Sequence, residues 1–153
     1  MQKQIPLQVE WQQDGYVIST DAKRIDREMV HRYLSLESYW ALNIPREIVD
    51  RSLDHSLCFG VFDPDQKMVG FARVVSDYAT FANLMDVFIL PANRGNGLSK
   101  WLLNCILSHP DLQSLRAWTL KTRDAHGLYS QFGFQLAKYP EKMMEKILIH
   151  PYG

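Results

Sequence analysis

The chain has 153 residues, with 17 Lys and Arg against 17 Asp and Glu, and apolar residues make up 46%. That suits one soluble domain over 1–153, and a net charge of zero argues against a nucleic-acid or anionic-membrane partner. No run approaches the roughly 18 apolar residues of a membrane helix or forms a signal-peptide core, and Cys58 and Cys105 sit in apolar patterns as reduced core thiols do, so the expected address is cytoplasmic.

Tyr16-Val17-Ile18-Ser19 reads as a short strand after a polar lead. Asp21 is a candidate cap for a helix carrying Ile25, Met29, Val30, Tyr33 and Leu34 at helical spacing. Ser38 to Pro45 is irregular and aromatic. Pro45 then opens a second helix with Ile48, Val49 and Leu53 as its stripe. Leu57 to Phe62 is a compact apolar strand, Asp63 to Lys67 a turn, and Met68 to Val75 the returning strand of a hairpin. Asp77 to Thr80 ends it. Leu84 to Leu90 is the next strand, stopped by Pro91.

A glycine loop follows, then a helix from Gly97 to near His109 with Leu98, Trp101, Leu102, Cys105 and Ile106 on one face. Leu115 to Leu120 is a strand and Ala125 to Phe132 a short helix. Leu136 to Lys138 and Met144 to Leu148 are weaker strand candidates. This order predicts an α/β (α+β) sheet with helices on its faces. The strand–helix–strand unit around the loop should be a right-handed parallel crossover.

Pro91-Ala92-Asn93-Arg94-Gly95-Asn96-Gly97-Leu98-Ser99-Lys100 is physically suited to an anion. A helix start offers free N–H groups and a partial positive charge, and glycines let that backbone approach a phosphate. Arg94 and Lys100 add formal charge. The P-loop string is absent, and the dinucleotide fingerprint needs a third glycine where Lys100 stands. The string alone also reads as a turn that caps a helix.

Val87-Phe88-Ile89-Leu90-Pro91 running into Arg94-Gly95-Asn96-Gly97 resembles the coenzyme A motif of the GNAT N-acetyltransferases. Asp124-Ala125-His126-Gly127-Leu128-Tyr129, followed by Phe132-Gly133-Phe134, resembles the second signature of that family. Both occur in the family's order and spacing. Ala92 stands where the family has Gln or Arg, and Ser99 where it often has glycine. Ser56 to Phe62 and Asp77 to Phe81 resemble bacterial members of unassigned substrate.

The resemblance implies a mixed, mostly antiparallel sheet whose fourth and fifth strands, at Leu84–Leu90 and Leu115–Leu120, run parallel and splay apart. It implies that pantetheine pairs with Val87, Phe88, Ile89 and Leu90. The pyrophosphate of acetyl-CoA would rest on Arg94, Gly95, Asn96, Gly97, Leu98 and Ser99, with Lys100 adjacent. It implies acetyl transfer to a primary amine, on a small molecule or a protein, by direct attack in a ternary complex. A catalytically weak acyl-CoA-binding sensor of the same fold is the alternative.

Tyr129 matches the family's acid, and a phenol is protonated at neutral pH. Asp86 lies where many members place an acidic residue or water relay, and His126 is a second candidate base. Asp124 most simply caps its helix, while the family often has Asn there, which implies coenzyme contact. Tyr39, Trp40, Tyr78 and Phe81 are candidates for the acceptor pocket. No histidine motif or Cys/His cluster suggests a metal. A homodimer through an exposed edge strand is compatible with the pattern.

Overall fold

The structure, a computed structural model, describes residues 4–148 and 152. Six strands lie in chain order across one sheet. They are β1 (Glu10–Gln13), β2 (Tyr16–Ser19), β3 (Leu57–Phe62), β4 (Met68–Ser76), β5 (Phe81–Ile89) and β6 (Ala117–Leu120). All neighbours are antiparallel except β5 and β6, which are parallel. The four main helices are α1 (Arg27–Leu36), α2 (Arg46–Asp54), α3 (Leu98–Ser108) and α4 (His126–Ser130).

Every residue of β3 is buried, as a strand covered on both faces requires. Leu57, Phe59 and Val61 pack with Leu98, Leu102, Cys105 and Ile106 of α3. Cys58 and Phe62 pack with Met29, Val30, Tyr33 and Leu34 of α1 and with Val49 and Leu53 of α2. The alternation of one strand thus feeds two cores.

β1 was not anticipated. Glu-Trp-Gln-Gln has no apolar alternation, and only Trp11 is half-buried. The signal lies in its turn: Asp14 and Gly15 take φ of +51° and +82°, the two-residue hairpin geometry that Asp-Gly favours. Asp21 caps only a single 3-10 turn, Ala22–Arg24, by accepting from the Lys23 amide at 3.0 Å. The cap of α1 is Asp26, which accepts from Met29 at 3.0 Å. Leu136 to Lys138 and Met144 to Leu148 are not strands. A 3-10 turn at Pro140–Lys142 interrupts them, and Met144, Ile147 and Leu148 stay exposed. No helix among the described residues is long and apolar enough to cross a membrane.

Cys58 and Cys105 are both free and buried. Burial pushes each thiol up to about 12 from 9.0, Cys58 against the opposing pull of Arg73. In the unfolded chain these thiols ionise near pH 9, while the folded chain keeps them protonated. The unfolded state then binds fewer protons, so their contribution is intact below about pH 9 and is lost as pH rises toward 12. Urea midpoints between pH 9 and 11 should show a decline of about 1 kcal/mol per pH unit per thiol. Cys58→Ala with Cys105→Ala should flatten that slope; an unaltered slope would place the titration elsewhere.

Candidate active site

β5 and β6 pair from Phe81 opposite Ala117 to Leu84 opposite Leu120 and no further. β5 continues to Ile89 while β6 ends, so the two part. On its other side β5 bulges. Phe71 faces Phe88 and Arg73 faces Met85, leaving Asp86 and Val87 to share one position of β4. Asp86 takes a left-handed φ of +53° there. The Leu90 amide donates to Val69 at 2.8 Å. By alternation, Val87 and Ile89 turn their N–H and C=O groups to the outer edge, while Phe88 turns its own toward β4.

The loop after β5 has the expected shape. Gly95 and Gly97 take φ of +86° and +75°, and Gly97 is the N-cap of α3 with no side-chain cap. A Cβ on either would meet nothing within 4 Å, so packing does not demand these glycines. The Arg94 amide is already committed to Pro91 at 3.3 Å. The next amide with an internal partner among the described residues is that of Trp101, on Gly97 at 3.1 Å. The unpartnered row therefore runs from Gly95 through Asn96, Gly97, Leu98 and Ser99 to Lys100. An open hollow of about 410 Å³ lies over it, with Ile89 and Leu128 on its walls.

The Arg94 side chain turns away from that row. Its Nε donates to the Ile89 carbonyl at 2.9 Å and its terminal nitrogen to the Tyr33 hydroxyl at 3.0 Å. Tyr33 stacks on Phe88 at 3.8 Å. Arg94 thereby fixes the end of β5, which its position next to glycine did not suggest.

Where the strands part, a cavity of about 520 Å³ opens. Asp86 and Val87 form one side, Lys121 to Ala125 and Tyr129 the other, and Tyr39 and Trp40 reach over from the α1–α2 connection. Of the four aromatic candidates, Tyr78 packs against the α3 core and Phe81 is exposed at the start of β5; neither lines the cavity. His126 lines a neighbouring hollow of about 500 Å³ that shares Lys121, Thr122 and Tyr129 with the first.

Asp86 is nearly buried, its side chain 8% exposed. One oxygen accepts from Arg73 Nε at 2.8 Å and the other from Trp40 Nε1 at 2.8 Å. Arg73 also donates to Ser56 Oγ at 3.2 Å. The pairing was missed, although a lone arginine within Phe71-Ala72-Arg73-Val74-Val75 signals a buried cation that needs an anion. The Tyr129 ring lies edge-on to Phe134 at 6.0 Å. Burial, and then the nearby Tyr39, raise its hydroxyl above the ordinary tyrosine value, so it is protonated at neutral pH. Asp124 does not cap α4. The Ala125 amide donates to Thr122 Oγ1 at 3.0 Å, while Asp124 stays exposed, 3.7 Å from Arg123. No group of three His, Cys, Asp or Glu placed to hold a metal occurs among the described residues.

Residues 54–136 match the family model described as an acetyltransferase (GNAT) domain. The chain belongs to the GNAT acetyltransferases. It is 50% identical to a Xanthomonas campestris protein solved as a proposed GNAT acetyltransferase, over 90% of this chain and 96% of that one, with a TM-score of 0.86. A Gibberella zeae protein whose name proposes an acetyltransferase is 27% identical over 114 residues; the match spans 63% of this chain and 64% of that relative's length. Glucosamine-6-phosphate N-acetyltransferase of Arabidopsis thaliana shares the fold at 15% identity and a TM-score of 0.59, over 88% of this chain and 99% of that one.

Proposed function

We propose that the chain transfers an acetyl group from acetyl-CoA to a primary amine by direct attack within a ternary complex. The observation that carries this reading is the row of unpartnered amides from Gly95 to Lys100, under glycines with open space above them, beside the parting of β5 and β6. A diphosphate needs close backbone approach and several N–H donors, and this row offers both. Lys100 and the positive end of α3 add charge. The outer edge of β5 from Val87 to Leu90 is the rail for pantetheine. There the Val87 groups and the Ile89 N–H are the available ones, since Arg94 occupies the Ile89 carbonyl. Asp124, exposed at the rim of the cavity, is the proposed contact for the coenzyme's polar arm.

The amine must lose a proton and the thiolate must leave. Asp86 is the proposed acceptor of the proton, directly or through water. Its two hydrogen bonds fix its direction, and each oxygen keeps a further lone pair. Tyr129 is the proposed acid, a neutral phenol in the same cavity that donates toward the sulfur. Holding both substrates in one cleft lowers the entropic part of the barrier.

Thiol release with a panel of primary amines tests the reading. Tyr129→Phe should lower kcat by about ten- to a hundredfold with coenzyme affinity unchanged. Wild-type turnover in that variant would remove Tyr129 from the chemistry. Silence of the wild-type chain across a broad panel, with acetyl-CoA still bound, would leave a binding domain instead.

A further inference from the structure

The cavity holds a second phenol to which the proposed transfer assigns no step. We propose that Tyr39 is a further catalytic residue, its hydroxyl donating a hydrogen bond to the thioester carbonyl oxygen as negative charge builds there. The inference rests on the acetyl-transfer reading and assigns that site its second side-chain donor.

Tyr39 is anchored across the parting of the strands. Its hydroxyl oxygen accepts from the Arg123 amide at 3.0 Å, and the Arg123 guanidinium lies 3.8 Å over its ring. Among the described residues nothing accepts the Tyr39 proton. A phenol that already accepts at oxygen is polarised toward donation, and a cation on the ring face draws electron density the same way. With the sulfur assigned to Tyr129, the carbonyl oxygen gaining charge is the reacting atom left without a side-chain donor; the amine needs an acceptor.

The turn that carries Tyr39 is tied down by hydrogen bonds. Ser38 Oγ donates to Leu34 at 2.6 Å and accepts from the Ala41 amide at 3.1 Å, so the turn that carries Tyr39 is pinned from beneath. Trp40 stands edge-on to Tyr39 at 5.0 Å and is tied to Asp86 of β5. Consecutive residues thus reach opposite walls, Tyr39 the β6 side and Trp40 the β5 side. A donor fixed before reaction pays no reorganisation when charge appears, which is the condition for strong stabilisation.

In the step, the amine nitrogen forms its bond to the carbonyl carbon and the C–S pair leaves on sulfur. The ammonium proton departs through Asp86 or water. Tyr129 gives its proton to the departing thiolate and is reprotonated by the equivalent proton that the amine released, so the products are amide and free thiol. Tyr39 keeps its proton throughout, so no further reactant is required.

Tyr39→Phe keeps the ring and its guanidinium and removes only the hydroxyl. It should lower kcat by about ten- to a hundredfold, with KM for the amine and the Kd of acetyl-CoA unchanged. Infrared difference spectra of bound acetyl-CoA, carbon-13 labelled at the carbonyl, read the contact without any amine. The carbonyl band should lie below its value in water for the wild-type protein and move up in Tyr39→Phe. An identical band in both proteins overturns the proposal, as does unchanged kcat, or a raised amine KM at unchanged kcat. If wild type binds acetyl-CoA and turns over no amine, the transfer reading fails while the infrared comparison still decides the contact.

Discussion

Gly97→Val is expected to fold and to bind acetyl-CoA at least tenfold more weakly by calorimetry, a loss above about 1.4 kcal/mol. Two costs separate cleanly here. A β-branched residue at φ +75° is strained by about 1–2 kcal/mol, which urea unfolding would register as reduced stability. No internal clash adds to it, because a Cβ at this position meets nothing within 4 Å. The larger effect falls on the ligand: the isopropyl group would fill open space at the loop where the diphosphate is proposed to lie. Gly97→Asn divides the two, since asparagine tolerates the left-handed conformation. It should recover stability and still bind poorly. Unchanged coenzyme affinity in Gly97→Val would count against the loop assignment.

Arg73→Met should destabilise the fold by about 3 kcal/mol or more, because it leaves the nearly buried Asp86 carboxylate without its cation. The Trp40 bond alone does not balance a full charge. Asp86→Asn in the same background removes that charge, keeps an acceptor for Trp40 and suits the left-handed φ. The double variant should therefore recover much of the loss, and a double-mutant cycle by urea unfolding measures the coupling. A loss under about 1 kcal/mol in Arg73→Met would show the pair to be as weak as an exposed one. The double variant should stay slow in acetyl transfer despite its recovered stability, since Asp86 is proposed to take the amine's proton.

How much of this was legible in the sequence depended on how local each signal is. The glycine loop was readable because the requirement is written in adjacent residues: glycine where φ is positive, then an apolar stripe at helical spacing. β3 and β4 were readable as apolar runs around the Asp63 turn. β1 was hidden by its polar composition, although Asp14-Gly15 carried the hairpin signal. Asp21 and Asp26 each precede helical turns, and only the structure separates the 3-10 start from the α-helix. Asp86 could be named as a carboxylate in the right strand. Its pairing with Arg73 could not, because one extra residue in β5 decides which side chains face each other. Tyr39 and Arg123 lie 84 residues apart, and their contact exists only once β6 and the α1–α2 connection share a cavity.

The most direct test is a crystal structure of the protein soaked with acetyl-CoA. Diphosphate oxygens should lie within hydrogen-bonding distance of the amides between Gly95 and Lys100, with the thioester in the cavity between Asp86 and Tyr129. Coenzyme density away from that row of amides would contradict the proposed site.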